Sequence, residues 1–140
     1  MKYYLISLIS LIIFICFCCF NMSNKKINLI NKNKIKTAIA IMTMKPINFE
    51  VWLKYHLKYL KFDHIYIRVE DTPELKKIID KYSKQVTAKF YSKQDNTDSY
   101  FNQMNRQDEL INNAIEDCKK RNIKYLLHID DDELFFITNK

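Results

Sequence analysis

The sequence predicts an α/β protein built on a parallel, doubly wound sheet. Four short apolar runs, each typical of a buried strand, alternate with three segments of helical periodicity. The resulting order is β-α-β-α-β-α-β, a Rossmann-like arrangement in which right-handed crossovers bring the carboxyl ends of all strands to one edge. At 140 residues the chain has room for one such domain.

The first strand and helix follow a polar linker. Thr37–Met44 is apolar along most of its length, and Lys45-Pro46 ends it. The spacing of apolar residues predicts a helix from Ile47 to Leu60. Its expected buried stripe consists of Ile47, Val51, Tyr55 and Tyr59, with Trp52 and Leu60 beside it.

The second strand, Phe62–Val69, closes on Glu70-Asp71. Thr72-Pro73-Glu74 is then typical of a helix start, with a threonine cap, proline at the first helical position and an acid in the first turn. Apolar residues recur at helical spacing after it and predict an amphipathic helix. These residues are Leu75, Ile78, Ile79 and Tyr82.

The third unit repeats the same order. Val86–Tyr91 alternates as a strand, and Ser92–Ser99 is a polar loop. A long helix ending near Arg121 is predicted next, and the nearly continuous apolar run Lys124–Ile129 predicts a strand covered on both faces. The apolar positions of the long helix are Phe101, Met104, Ile111, Ile115 and Cys118.

An apolar segment precedes the domain. Tyr3–Phe20 carries no charge and is long enough to cross a bilayer as one helix. A cleavable signal peptide is the alternative, but the apolar core is long for one, and Cys18–Ser23 lacks a small-x-small cleavage site. We therefore expect a transmembrane anchor over residues 1–22, a Lys/Asn-rich linker over 23–36 and the domain over 37–140.

The net charge of +7 is concentrated outside the domain. Six of the 23 basic residues precede Lys45, which leaves 17 basic against 16 acidic residues from there onward. The domain thus has no basic stripe suited to nucleic acid, whereas the linker suits contact with anionic lipid headgroups. The six early cations are Lys2, Lys25, Lys26, Lys32, Lys34 and Lys36. Because five follow the apolar segment, the positive-inside rule puts the domain on the cytoplasmic side.

Composition also excludes several classes of site. The chain contains no glycine, so glycine-rich phosphate loops of the Rossmann or P-loop type are absent from this sequence. Cys118 is the only cysteine after the linker, which excludes a disulfide within the domain and a cysteine-rich metal site.

The acidic run Asp130-Asp131-Asp132-Glu133 directly follows the fourth predicted strand. Open α/β sheets bind ligands at the carboxyl ends of their strands. In an extended chain Asp130 and Asp132 would point one way, and Asp131 and Glu133 the other. Such a carboxylate pair suits a hard divalent cation. The alternative is that one aspartate caps a helix while the others lie solvated in a loop. His128 is expected to be a packed core residue rather than a ligand.

Three segments together resemble a known enzyme family. They are Glu50–His56 (EVWLKYH), Phe62–Ile67 (FDHIYI) and Leu127–Leu134 (LHIDDDEL). In this order and spacing they resemble the GT-A glycosyltransferases of the family 92 and family 2-like type, whose pattern comprises E-W-x-x-Y-H, D-H-hydrophobic-Y-hydrophobic and D-x-D-E-F. One extra residue separates Glu50 from Trp52, and Leu134 replaces the phenylalanine. The resemblance covers about residues 37–136.

The resemblance implies a function and a set of site residues. Asp130 and Asp132 would bind Mn²⁺ or Mg²⁺ as the D-x-D element, with Asp130 reaching the metal or a ribose. The donor, a nucleotide-diphosphate sugar, would be held by Thr43, Asp71, Gln107 and Asp131. Strand-end, turn and surface roles are the alternatives for Thr43, Asp71 and Gln107. Glu50, Trp52, Tyr55 and His56 are expected to fix the first helix.

The same resemblance sets the expected limits of the chain. Family members carry an Asn-Glu pair where this chain has Lys45-Pro46, and they continue past the D-x-D element with an acceptor-binding half and a catalytic base. We therefore expect the donor-binding half of an incomplete GT-A fold, without an assigned catalytic residue and inactive alone. Family members are usually lumenal, which conflicts with the lysine placement. A non-catalytic, membrane-tethered α/β module is the alternative from a different class.

Overall fold

A computed structural model of the protein describes residues 34–92 and 100–136, apart from the side chains of Tyr100 and Phe101. The predicted anchor, most of the linker and nearly all of the polar loop lie outside these ranges. Within them, no helix has the length and apolar character that crossing a bilayer requires. Lys36–Lys140 forms one compact unit.

The elements follow the predicted order. Four strands, β1 to β4, alternate with helices α1 to α3, and short π-helical and 3-10 turns extend α1 and α2. The bounds are β1 Thr37–Thr43, α1 Phe49–Lys54 with a π-helical turn Tyr55–Tyr59, β2 His64–Glu70, α2 Lys76–Ile79 between 3-10 turns Pro73–Leu75 and Asp80–Tyr82, β3 Val86–Tyr91, α3 Tyr100–Arg121 and β4 Tyr125–His128.

The four strands form one all-parallel sheet in the order β3-β2-β1-β4. Thr43 at the end of β1 pairs with Val69, and Ala40 pairs with His128. The chain therefore moves outward from β1 to β3 and then crosses back to place β4 on the other side of β1. This reversal is a topological switch point, where neighbouring connections leave the sheet in opposite directions.

One face of the sheet packs under α1 and α2. Ile39 and Ile41 of β1 contribute to this core together with Ile65, Ile67 and Val69 of β2. The helices contribute Trp52, Leu53, Leu75 and Ile79, among other buried residues. Branched side chains on alternate strand positions form a continuous apolar surface, whose burial drives the docking of both helices.

The opposite face packs under α3. Ala38 and Ala40 are small, which lets α3 approach the sheet closely through Ala114 and Cys118. Tyr66 is buried in the same cluster, and its hydroxyl donates a hydrogen bond to Asp117 Oδ2 at 2.9 Å. Burial raises the pKa of Tyr66 and also that of Cys118, so both groups stay protonated and serve packing.

The expected stripe of α1 is wrong at three of its four positions, whereas Trp52 and Leu60, expected beside it, do contact the core. Ile47, Val51 and Tyr59 are 88%, 64% and 78% exposed. The buried face instead consists of Phe49, Trp52, Leu53, His56 and Leu57. The residues of this face also have helical spacing. One of them is His56, however, and a pattern defined by apolar residues alone does not include a histidine. The helix also begins only at Phe49, so Ile47 lies before it.

The prediction that β4 is an interior strand is also wrong, although both of its faces are partly covered, since Leu127 packs against one core and Leu126 against the other. In the described ranges β4 pairs only with β1, and Tyr125 is 66% exposed. His128 is exposed as well, so its expected core role is wrong. A short apolar run defines a strand but not the number of its neighbours, and β4 is here an edge strand.

The predicted cap of the second helix forms differently. Pro73 lies at the first helical position, as expected, but the Thr72 side chain makes no capping hydrogen bond. Its hydroxyl donates to the Glu70 carbonyl at 2.8 Å and accepts from the Lys45 amide at 2.8 Å. Thr72 therefore ties the end of β2 to the chain that follows β1.

Without glycine, the chain uses other residues in left-handed turns. Lys45, Asn48, Lys61, Asp71 and Asn122 all have φ between 45° and 60°. Asn122 ends α3 in a Schellman arrangement: the Ile123 amide donates to the Cys118 carbonyl and the Asn122 amide to the Lys119 carbonyl. Asparagine and aspartate tolerate this region, whereas lysine gains nothing in return for the steric cost.

Lys61→Gly should therefore stabilise the domain. Lys61 has a φ of 60°, and relief of the steric cost exceeds the added entropy of glycine by about 0.5 kcal/mol. Urea unfolding should show a higher free energy of unfolding. The control Lys58→Gly, within the preceding helical turn, should lower it by about 1 kcal/mol. An equal decrease in the free energy of unfolding for both variants would contradict a steric cost at Lys61.

Stability should fall in mild acid because of His64. This side chain is buried, its Nε2 lies 2.9 Å from Thr87 Oγ1, and burial together with the charge of Arg121 lowers its pKa to about 4. In the unfolded chain the imidazole has a pKa of about 6.5. As the pH falls between these two values, only the unfolded state gains the proton, so its free energy drops relative to the folded state.

The expected loss is on the order of 2 kcal/mol between pH 7 and pH 4. Urea unfolding at several pH values measures it, with His64→Gln as the comparison. The variant should show a shallower decline. Some decline should remain, because burial also lowers the pKa of His56. Identical pH profiles would rule out His64 as the source.

Candidate functional site

A cleft of about 400 Å³ opens at the switch point, above the carboxyl ends of β1 and β4. Parallel α/β sheets bind ligands at this position because the connections diverge there. β1 contributes Met42 and Thr43, and Met44 follows directly after it. The other lining residues are Glu70 of β2, Gln103, Arg106 and Gln107 of α3, and Asp130, Asp131 and Asp132 after β4.

The acidic run forms a tight turn. The Glu133 amide donates to the Asp130 carbonyl at 3.2 Å, and the Asp130 amide donates to Glu133 Oε2 at 3.1 Å. The expected extended conformation, with alternating side chains, is therefore wrong. Aspartate is well suited to such turns. Because the chain turns here, all three aspartates line the cleft while Glu133 closes the turn.

Thr43 links the turn to the sheet. It is the last residue of β1, is only 2% exposed, and donates a hydrogen bond from Oγ1 to Asp131 Oδ2. A donor of this kind fixes the orientation of the carboxylate. Asp131 is thereby held by the protein, whereas Asp130 and Asp132 are exposed at the cleft.

The donor set restricts the kind of cation site that the cleft can form. Among residues 34–92 and 100–136, no three His, Cys, Asp or Glu side chains are grouped closely enough to hold a metal ion. Mg²⁺ usually keeps several waters and binds one or two carboxylates together with substrate phosphates. Asp130 and Asp132 fit that shared type of site and do not fit a cage made of protein ligands alone.

An ion network centred on the buried Arg68 and Glu70 reaches the wall of the cleft through Glu70 and Arg106. Arg68 Nε and Arg106 Nε each lie 2.8 Å from Glu70 Oε1, and Arg68 Nη1 donates to Glu109 Oε2 at 2.8 Å. The Arg68 guanidinium also lies 3.6 Å from the centre of the Tyr91 ring. Burial opposes its charge, but the hydrogen bonds to Glu70 and Glu109 raise the pKa of Arg68 overall.

Sequence reasoning did not identify Arg106 or Gln103 as cleft residues. Both lie on α3 within one turn of Gln107, so the helical period could have found them once Gln107 was chosen. Arg106 matters because it adds a cation to the lining of the cleft that also contains the three aspartates. The cleft therefore contains both positive and negative side chains. An anionic ligand that shares a metal ion with the protein requires both, a cation for its own charge and carboxylates for the metal.

The first helix braces the segment that follows the acidic turn. Trp52 Nε1 donates to the Glu133 carbonyl at 2.8 Å, and the Tyr55 hydroxyl donates to the Phe135 carbonyl at 3.0 Å. His56 is fully buried, and its ring lies 4.0 Å from that of Trp52. Its Nδ1 lies 3.0 Å from the Trp52 carbonyl. None of these residues lines the cleft.

Asp71 is the one predicted site residue that does not line the cleft. It has a φ of 45° at the end of β2, and its carboxylate lies 3.4 Å from Lys45 Nζ. The other five, Thr43, Gln107, Asp130, Asp131 and Asp132, are brought together there. Asp71 shares the carboxyl rim of the sheet with them, as the topology predicts.

These features define an α/β protein with a four-stranded, all-parallel, Rossmann-like sheet in the order 3-2-1-4. No protein-family model matches the sequence, and comparisons with curated proteins and with solved structures found no significant match.

Proposed function

We propose that residues 37–140 are the donor-binding half of a metal-dependent glycosyltransferase, which transfers a sugar from a nucleotide-diphosphate sugar to an acceptor hydroxyl. One observation carries the proposal: five of the six residues chosen from sequence alone line a single cleft at the switch point. Their chain separation is large, from Thr43 to Asp132, so this convergence is a property of the fold.

Each cleft residue has a role in this proposal. Asp130 and Asp132 hold the cation, and Thr43 orients Asp131 toward the donor. Arg106 and Gln107 face the same space from α3 and offer hydrogen-bond donors to phosphate or ribose oxygens. Bound Mn²⁺ or Mg²⁺ supplies charge neutralisation at the departing diphosphate. The catalytic base and the acceptor, whether glycan, protein or lipid, are not assigned.

The same proposal includes a membrane location. Tyr3–Phe20 is the candidate single-pass anchor, on the basis of its length and lack of charge. The resemblance favours a lumenal domain, and the lysines after the apolar segment favour a cytoplasmic one. Protease protection of the full chain in sealed vesicles distinguishes the two.

Calorimetry with nucleotide-diphosphate sugars tests the donor site. The full chain should bind in the presence of Mn²⁺ and lose binding when the metal is chelated. Asp132→Asn should weaken the metal-dependent affinity by at least roughly tenfold, and Thr43→Val by about tenfold, because second-sphere groups typically have effects of this size. The control Asp108→Asn changes an exposed acid next to Gln107 that does not line the cleft, and should leave the affinity unchanged.

A second function is favoured by one specific contact. Glu133 uses its carboxylate to bond the Asp130 amide, so part of the acidic run has a structural role within its own turn. In a non-catalytic, membrane-tethered module the acidic run would need only such a structural role. Absence of metal-dependent nucleotide binding, or binding equal in wild type and Asp132→Asn, would favour this second function.

A further inference from the structure

The edge of the sheet opposite the cleft is basic. In a parallel sheet all amino ends share one edge, and here a lysine precedes each strand closely. The Lys124 amide donates to the Lys36 carbonyl at 2.9 Å, which places the starts of β1 and β4 side by side. We use the name basic edge for Lys36, Lys61, Lys84, Arg121 and Lys124, all of which are exposed.

The carboxyl end of α3 adds further cations to the basic edge. α3 ends in Lys119, Lys120 and Arg121, where the partial negative charge of the helix end stabilises cations. The Lys36 ammonium donates to the Arg121 carbonyl at 3.3 Å. A shallow cleft of about 300 Å³ lies between these groups, lined in part by Lys36, Lys84 and Arg121.

The acidic groups near this edge are engaged with the protein. Asp63 Oδ2 accepts a hydrogen bond from the Thr37 amide at 3.0 Å. Asp117 pairs with Arg121 and accepts from the Tyr66 hydroxyl, and Glu116 pairs with Lys119. With Lys119 and Lys120 the basic edge has seven cations against these three acids, so it keeps an excess of positive charge, although the domain as a whole is close to neutral.

The two ends of the sheet thus carry opposite charges. The cleft end holds the three aspartates and Glu133, and the basic edge holds the lysines. A uniform surface of near-zero net charge would have no preferred orientation near a charged partner. A domain polarised along its strands does have one, because its positive end is attracted while its acidic end is repelled.

The sequence before β1 identifies the partner. The chain enters this unit at Lys36, and the apolar segment Tyr3–Phe20 precedes it by a linker that spans at most roughly 50 Å when fully extended. An anchored domain is therefore confined to the bilayer surface. We propose that the basic edge docks on the headgroups of anionic lipids and holds the acidic cleft away from the bilayer.

This proposal is independent of the sugar-transfer chemistry. It rests on the proposed anchor only because the anchor confines the domain to the bilayer surface. Each Lys or Arg near an anionic surface contributes about 1 kcal/mol, and the attraction weakens as salt shortens the Debye length. The linker lysines Lys25, Lys26 and Lys32 add to the same attraction.

Lysine footprinting of the full chain in nanodiscs tests the proposal. Discs of phosphatidylcholine alone are compared with discs that also contain phosphatidylserine, and amine acylation is followed by mass spectrometry. In the anionic discs Lys61, Lys84 and Lys124 should acylate about fivefold more slowly at low salt, and the difference should disappear at high salt. Lys77, an exposed lysine of α2, is the internal control and should react equally in both discs.

Charge reversal provides the matched variants. Lys84→Glu with Lys124→Glu should abolish the slower acylation of Lys61 in anionic discs, whereas Lys77→Glu should preserve it. Equal reactivity of Lys61, Lys84 and Lys124 in the two kinds of disc would overturn the proposal. So would protection of these lysines by an added oligonucleotide but not by anionic lipid, which would make nucleic acid the partner. Neither result bears on nucleotide-sugar binding at the opposite end of the sheet.

Discussion

Replacement of Arg68 by methionine should lower the free energy of unfolding by about 3 kcal/mol. The guanidinium is 4% exposed and bonds the Glu70 and Glu109 carboxylates. Methionine keeps most of the volume but leaves Glu70 buried with less compensation. An unpaired buried charge costs more than the pair contributes when intact, which makes this one of the two largest effects expected.

Urea unfolding followed by circular dichroism measures the effect. Glu109→Gln is the control because it removes the exposed partner of the same guanidinium, and it should cost about 1 kcal/mol or less. A loss below 1 kcal/mol for Arg68→Met would show that Arg106 alone compensates Glu70. The same variant should also alter the cleft wall, since Glu70 lines it.

Trp52→Phe should destabilise the domain by about 2 to 3 kcal/mol. The smaller ring leaves a cavity among Phe49, Leu53 and His56, and the Glu133 carbonyl loses its hydrogen bond from Nε1. Part of the loss should be local. Amide hydrogen exchange should quicken in residues 133–136, because their link to α1 is weakened.

Tyr55→Phe is the matched comparison. It removes only the hydroxyl that donates to the Phe135 carbonyl at an exposed position, and it should cost about 0.5 to 1 kcal/mol. Equal free energies of unfolding for the two variants, together with the same increase in amide exchange over residues 133–136, would show that the cavity left by Trp52→Phe does not contribute to its effect.

Local patterns predicted the order of elements because each crossover unit carries its own signal. β3 has the predicted bounds, since its alternation is bracketed by polar residues on both sides. The shared rim followed from topology alone. By contrast, the α1 face was missed because His56 is buried by aromatic neighbours, a tertiary contact that a polar residue type conceals.

The candidate site was predictable in part of its membership but not in its geometry. The position of the aspartates after a strand identified them, because parallel strands share a carboxyl edge, whereas Thr43 and Gln107 were assigned through the resemblance. The turn at Asp130 depends on the Glu133 carboxylate bonding back three residues, which overrides the extended conformation. Arg106 reaches the cleft through its ion pair with Glu70, a contact between residues 36 positions apart that no local pattern encodes.

The indole of Trp52 has a practical consequence, because the chain contains a single tryptophan. Its Nε1–H bonds the carbonyl of the residue directly after the three aspartates. All indole emission from this protein therefore originates beside the acidic turn, and its wavelength reports the polarity and hydrogen bonding at that point. The protein therefore carries an intrinsic optical reporter of the conformation of its acidic turn, with no label attached.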